Sequence, residues 1–174
     1  PWDQDNLVAQ KVCEIEGVDS YRTPDFVLEG GSIHVDGEGT LLTTEMCLLS
    51  EGRNPGMSKE EIEAKLKEYL NLEKIIWIKD GIDPYETNGH IDDVACFIRP
   101  GEVACIWTED ENHPFYQQAQ DAYKTLCEAT DAKGRKQHLM LLEKAMKDAA
   151  KNLEFEIAAE LRDEIRRIEA MDKK

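Results

Sequence analysis

Apolar and polar residues alternate in "SIHVDGEGTLLTTEMCLL", with Ile33 and Val35 on one side and β-branched Thr43 and Thr44 after the "DGEG" turn. This pattern predicts a β-hairpin. The period then lengthens. In "GMSKEEIEAKLKEYLNL", Ser58 stands three residues before Glu61 as a capping box, and Ile62, Leu66, Tyr69 and Leu70 line one helical face. "EKIIWIK" follows as a short buried strand. The order then recurs: "DDVACFIRPGEVACIWTE" predicts a second hairpin turning at Arg99-Pro100-Gly101-Glu102, and "HPFYQQAQDAYKTLCEA" a second helix with Pro114 near its start. Glu45 and Glu109 close the matching hairpins 64 residues apart. Two copies of hairpin, helix and strand are therefore expected, the second without its last strand, in a repeat architecture whose units bury their faces on one another. Cys47 is expected in a strand, and Cys13 and Cys127 are expected to be buried on helix faces.

Beyond the polar break "ATDAKGRK" the pattern is helical throughout. Leu142, Met146, Ala149 and Leu153 form one stripe, and Ala158, Leu161, Ile165 and Ile168 a second, joined by "NLEFE". An antiparallel helical hairpin follows, with a module boundary near Lys136. The expected division is 1–136 and 137–174.

Charge changes the picture along the same boundary. The formal net charge is -16; residues 137–174 hold 8 basic and 9 acidic residues, leaving 13 against 28 for residues 1–136. A field that negative disfavours nucleic acid and anionic lipid on the first part and attracts a cationic small molecule. The five cysteines (13, 47, 96, 105, 127) show no metal-like spacing and lie mostly among apolar residues, which implies reduced thiols in a cytosolic, cytoplasmic protein. Cys96 and Cys105 alternate with apolar neighbours as inert core thiols do. No run of 18 apolar residues and no signal peptide is present, so no membrane partner is expected. The opening "PWDQDN" lacks Met and is expected to mark a fragment or a processed product.

Two acidic motifs stand at the hairpins, "LEGGSIHVDGEGT" and "ETNGHIDD". Glu29 precedes two glycines, which let the backbone turn and present a carboxylate beside a ligand. His90 and Asp92 are two apart, a spacing that puts both on one face of an extended segment. A histidine beside a carboxylate can be held in one tautomer and tuned as an acid/base. Further carboxylates around it, Glu86 among them, suit a guanidinium, which takes planar bidentate acceptors. On residue types alone the cluster is also compatible with a solvated turn or a metal site, though no second histidine stands at ligand spacing. His34 reads as a polar strand residue.

The stretches "PWDQDNLVAQKVCEIEGVD", "LEGGSIHVDGEGTLLTTE", "LLSEGRNP", "GIDPYETNGHIDDVACFIRPGEV" and "TEDENHPFY" closely resemble the central part of agmatine deiminases, members of the guanidine-modifying pentein superfamily. The resemblance implies an α+β fold. About two ββαβ modules of a five-module propeller are expected, followed by the two-helix hairpin. It implies that Glu29 and Asp92 hold a guanidinium, that His90 is the general acid/base, and that Glu86 supports substrate binding. The family reaction it implies begins with a cysteine thiolate attacking the guanidinium carbon. Ammonia leaves, and hydrolysis of the thiouronium intermediate follows, so that agmatine yields N-carbamoylputrescine without metal or organic cofactor. The family often has Asp where Asn88 stands and Asn where Asp93 stands. Its nucleophilic cysteine lies in a glycine-rich "GG…HC" run and a further acid in an "RDxGP" motif. No cysteine here has the first context, so an inactive chain with weak agmatine binding is expected.

"LLEKAMKDAAKNLEFEIAAELRDEIRRIE" resembles the UVR motif, a helical hairpin of bacterial nucleotide-excision-repair subunits and some ATP-dependent protease partners; a generic coiled coil is the alternative. The resemblance implies homo- or hetero-pairing of the hairpin as a protein–protein interaction module. A core of 38 residues gains from such a partner. The join of the two resemblances implies an artificial, misassembled or frame-disrupted fusion.

Overall fold

The computed structural model describes residues 3–23, 25–129 and 132–171, without the side chains of 132–138, 141 and 171. After a short helix α1 (Val8–Glu16), ended by Gly17 in the left-handed region, the first repeat begins. Strands β1 (Ile33–Val35) and β2 (Thr40–Thr44) form the expected hairpin, antiparallel with Ile33 opposite Thr43. Its turn is built by Asp36, whose Oδ1 accepts the amides of Glu38 (2.8 Å) and Thr40 (2.9 Å). A one-turn helix α2 (Glu45–Leu48) and helix α3 (Lys59–Leu70) lead to β3 (Lys74–Ile78), which pairs parallel to β2. The capping box at Ser58 and Glu61 forms as expected, with amide-to-side-chain distances of 3.2 and 2.8 Å. On α3, Ile62 and Leu66 are buried, whereas Tyr69 and Leu70 lie at the rim.

Sheet order β1-β2-β3 makes β2 the central strand, and its alternation serves two cores. Leu41 packs with Phe26, Leu48, Ile62 and Leu66; Leu42 packs with Ile78, Ile91, Val94 and Ala122. The second core joins the repeats. Strands β4 (Ala95–Arg99) and β5 (Glu102–Cys105) form the second hairpin, turning through Gly101 at φ 76°, and helix α4 (Tyr116–Ala129) follows. β4 and β5 form a two-stranded sheet, so among the described residues the second repeat has no third strand. His34 also ties the repeats together, its Nδ1 accepting the Phe97 amide at 3.3 Å.

Helices α5 (Ala132–Lys151) and α6 (Phe155–Met171) form the antiparallel hairpin. Helix α5 runs through the expected junction at Lys136, while Thr130 and Asp131 of the expected polar break lie outside the described residues. Ala149, Ile165 and Ile168 of the two stripes are buried. Leu153 is not: it stands in the connecting turn at φ 66° and is 72% exposed. There the amides of Leu153 and Glu154 bond back to Ala150 and Ala149, the C-terminal pattern that satisfies the last carbonyls of a helix.

Two further expectations are corrected. Cys47 lies in α2, not in a strand, because Thr44 Oγ1 accepts the Cys47 amide (3.2 Å) and caps a helical turn directly after β2. Cys13 and Cys127 are only half-buried. For Cys13 the reason is that α1 has no buried residue, its Val8, Val12 and Ile15 all being exposed.

Candidate functional site

Glu29 enters at the end of an extended segment and is followed by a tight 3-10 turn, Gly30–Ser32. Ser32 Oγ accepts the Glu29 amide (3.2 Å) and donates to the Glu29 carbonyl (2.6 Å), fixing the turn. Neither glycine requires a positive φ here. Gly31 is needed for close approach instead: a Cβ at that position would lie 2.5 Å from His90 Nδ1 and 2.6 Å from Asp92 Oδ2. The Asp92 amide donates to the Gly31 carbonyl at 3.3 Å, so the two acidic motifs of the separate repeats meet backbone to backbone.

The loop bearing His90 is organised by Asp83. Its carboxylate accepts the amides of Tyr85 (2.9 Å), Glu86 (3.2 Å) and Thr87 (3.1 Å), and these bonds hold it below the usual Asp range. Asn88 and Gly89 then take positive φ angles of 57° and 78°. The Gly89 carbonyl accepts from Thr44 Oγ1 (2.6 Å), and Asn88 Nδ2 donates to the Met46 carbonyl (3.1 Å). The end of β2 and the start of α2 thereby anchor the loop of the second repeat.

Glu29, His90 and Asp92 are brought together. His90 Nε2 lies 3.2 Å from Glu29 Oε2, and Nδ1 lies 3.9 Å from Asp92 Oδ1, an ionic rather than hydrogen-bonding distance. His90 and Asp92 meet in a turn rather than on an extended segment, since the amides of Val94 and Ala95 both bond to the Ile91 carbonyl. Glu86 is not brought in. It is exposed on the Asp83-capped loop, and its carboxylate makes no hydrogen bond or ion pair among the described residues.

Two residues complete the cluster that spacing arguments did not single out. Arg53 Nε donates to Glu29 Oε2 at 2.5 Å, and Cys47 Sγ lies 3.9 Å from the same oxygen. Arg53 falls within "LLSEGRNP", but no sequence period links it to Glu29; the contact arises from the turn that follows α2, where the Arg53 amide bonds the Ser50 carbonyl. Burial acts most strongly on Glu29 and raises its pKa, yet the hydrogen bonds and charges of Arg53 and His90 outweigh it and hold the carboxyl below its ordinary value. Cys47 is affected in the opposite sense. Burial, reinforced by the Glu29 charge and only partly offset by Arg53, pushes its thiol up to about 11. At neutral pH it is a protonated thiol and a poor nucleophile.

Glu29, Cys47 and His90 offer ligand atoms within 4.8 Å of one another, which is the donor set of a small metal centre. The Arg53 guanidinium contacts the same carboxylate oxygen, and its fixed positive charge beside a protonated thiol opposes a divalent cation there. Side-chain exposures of 38% for Glu29 and 54% for Asp92 leave both carboxylates open to solvent, with His90 more enclosed at 13%. No described helix is long and apolar enough to cross a membrane.

Comparison with known proteins places this geometry in a family. The chain matches the Porphyromonas-type peptidyl-arginine deiminase family over residues 1–165. It is 79% identical over 135 residues to a Lactococcus lactis protein that carries the agmatine deiminase name, covering 78% of this chain and 37% of that one. Among solved structures, the agmatine deiminase of Enterococcus faecalis is 77% identical, with a TM-score of 0.72 over 77% of this chain and 37% of its own. A cysteine-to-serine variant of the C. jejuni agmatine deiminase, solved with substrate bound, is 38% identical with a TM-score of 0.66 over 72% of this chain and 38% of its own. The chain therefore spans little more than a third of the length of these relatives. On the family match, the identity and the shared fold together, it belongs to the Porphyromonas-type peptidyl-arginine deiminase family and carries part of the pentein fold.

Proposed function

We propose that the chain carries the guanidinium-binding and acid/base half of an agmatine-deiminase-type site. Glu29 and Asp92 take the cation, His90 exchanges the proton, and Glu86 supplies outer negative charge from its exposed loop. The observation that carries this reading is the His90 imidazole set between two carboxylates, 3.2 Å from Glu29 and 3.9 Å from Asp92. The reaction this site serves converts agmatine and water to N-carbamoylputrescine and ammonia. By itself the 174-residue chain binds without turnover, because burial beside Glu29 pushes the one described thiol that touches the cluster, Cys47, up to about 11 and leaves it a thiol at neutral pH. Exposed carboxylates are screened, so agmatine binds weakly, in about the millimolar range, and less well in salt. Agmatine is titrated by NMR at low and high salt, with Glu29→Gln and Asp92→Asn as controls. Micromolar affinity, binding indifferent to both substitutions, or ammonia release would refute this reading.

A second reading concerns residues 137–174 as a separate, UVR-like interaction module. Exposed Leu153, Phe155 and Ile157 at the tip of the hairpin favour it. Concentration-dependent self-association that disappears on deleting 137–174 is its signature, and a monomer at every concentration rules out self-pairing.

A further inference from the structure

The guanidinium already on Glu29 is the protein's own. Arg53 is enclosed, with 18% of its side chain exposed, and reaches two segments at once: Nε to Glu29 Oε2 at 2.5 Å, and Nη2 to the Thr87 carbonyl at a longer 3.4 Å. Glu29 belongs to the first repeat and Thr87 to the His90 loop of the second. The neighbouring residue works on the same segment. Buried Asn54 accepts the Val27 amide at 2.9 Å and donates to the carbonyls of Val27 and Leu48, both at 3.1 Å. Asn54 thus pins the backbone two residues ahead of Glu29, while Arg53 holds its carboxylate.

We propose that Arg53 is a positioning residue that fixes Glu29 against His90 and locks the His90 loop to the first repeat. This rests on the functional reading above. The convergence on one carboxylate oxygen supports it: Glu29 Oε2 takes Arg53, His90 and Cys47 together. A guanidinium suits the task because its rigid fork carries donors aimed at two acceptors, which a lysine ammonium on a flexible stem does not. Without that charge, Glu29 would face a buried thiol and, across His90, the Asp92 carboxylate. It would have less reason to stay ionised or in one rotamer.

The test uses the whole chain, labelled so that the Glu29 carboxyl carbon, the His90 ring nitrogens and the Thr87 amide are read by NMR. Arg53→Met is expected to raise the Glu29 titration midpoint, shift the His90 ring signals and weaken agmatine binding about tenfold, the scale of one charge-assisted contact. Arg53→Lys, which keeps the charge and loses the fork, is expected to recover part of the Glu29 midpoint but not the His90 and Thr87 signals. Wild-type Glu29 and His90 signals in a folded Arg53→Met chain overturn the proposal. If Arg53→Met does not fold, wild-type signals and affinity in Arg53→Lys overturn it instead. Absence of agmatine binding in the unsubstituted chain defeats the functional reading and leaves Arg53 to be decided by the Glu29 and His90 signals alone.

Discussion

Gly31→Ala is the sharpest perturbation of this site, and Gly30→Ala is its natural control. The added methyl at 31 would stand 2.5 Å from His90 Nδ1, 2.6 Å from Asp92 Oδ2 and 3.1 Å from Asp92 Cγ, whereas at 30 nothing lies within 4 Å. Ordinary contact begins near 3.5 Å, so the blocking groups must retreat by about 1 Å. Asp92 can do so, being half-exposed, but His90 is enclosed and held by Glu29. Forcing a methyl into such a space typically costs about 1–3 kcal/mol. Because the obstacles are side chains rather than backbone, the lower half of that range applies. Each substitution also gains about 0.4–1 kcal/mol by restricting the unfolded chain. That gain is common to both variants, so their difference isolates the clash.

In thermal unfolding the difference should appear as roughly 2–8 °C between the two variants, at about 2–4 °C per kcal/mol for a chain of this size. The larger effect falls on the site. His90 is pushed from Glu29, its ring signals move in Gly31→Ala but not in Gly30→Ala, and agmatine affinity falls about tenfold in the former alone. Equal melting temperatures together with unchanged His90 signals would refute the packing of His90 and Asp92 against the Gly31 backbone.

The remaining expectations concern charge, thiol chemistry and the hairpin. The Glu29 carboxyl is held below its ordinary value of 4.5, so its contribution is present above that pH and is lost as pH falls through the lowered folded value; Glu29→Gln should flatten acid unfolding below about pH 4.5 and leave the profile above it unchanged. Its partial exposure keeps the effect small, and an unaltered acid limb in Glu29→Gln would contradict the Arg53 and His90 contacts. Cys47 should alkylate slowly in the folded chain, its rate still climbing about tenfold per pH unit beyond pH 9 instead of levelling off there, as followed by peptide mass spectrometry; fast modification with a plateau at or below pH 9 would show that its thiol is neither buried nor raised to about 11. In the hairpin, Arg167 bonds Glu109 at 3.0 Å and lies 5.2 Å over Trp107, while Ile168 is 2% exposed. Ile168→Ala should therefore cost about 2–5 kcal/mol in denaturant melts and Arg167→Ala about 1, and the reverse order would mean that ionic contacts hold the hairpin in place.

Elements whose signal is local were legible in the sequence. The Ser58 capping box, the Asp36 turn and the Arg99–Glu102 turn each depend on residues within four positions of one another, and each forms where the pattern put it. The copy-to-copy recurrence gave the two hairpins and their helices for the same reason. Cys47 failed because "TTEMCLL" satisfies both periods over so short a run, and a single hydroxyl, Thr44 Oγ1, decides for a helical turn. Leu153 failed because a stripe counted at helical spacing does not register the left-handed residue that ends the helix. In the site, residue types drew attention to Glu29, His90 and Asp92, but their meeting depends on the Gly31 backbone lying against a loop 60 residues away, which no period encodes. Arg53 was the least legible. Its partners lie 24 and 34 residues away on opposite sides in sequence, and it has meaning only once α2 and the Asp83-capped loop are in place. The types of chemistry were therefore readable one motif at a time. The pairings that bring Arg53, His90 and Cys47 onto one Glu29 oxygen required the fold, and they separate this cluster from a solvated acidic turn.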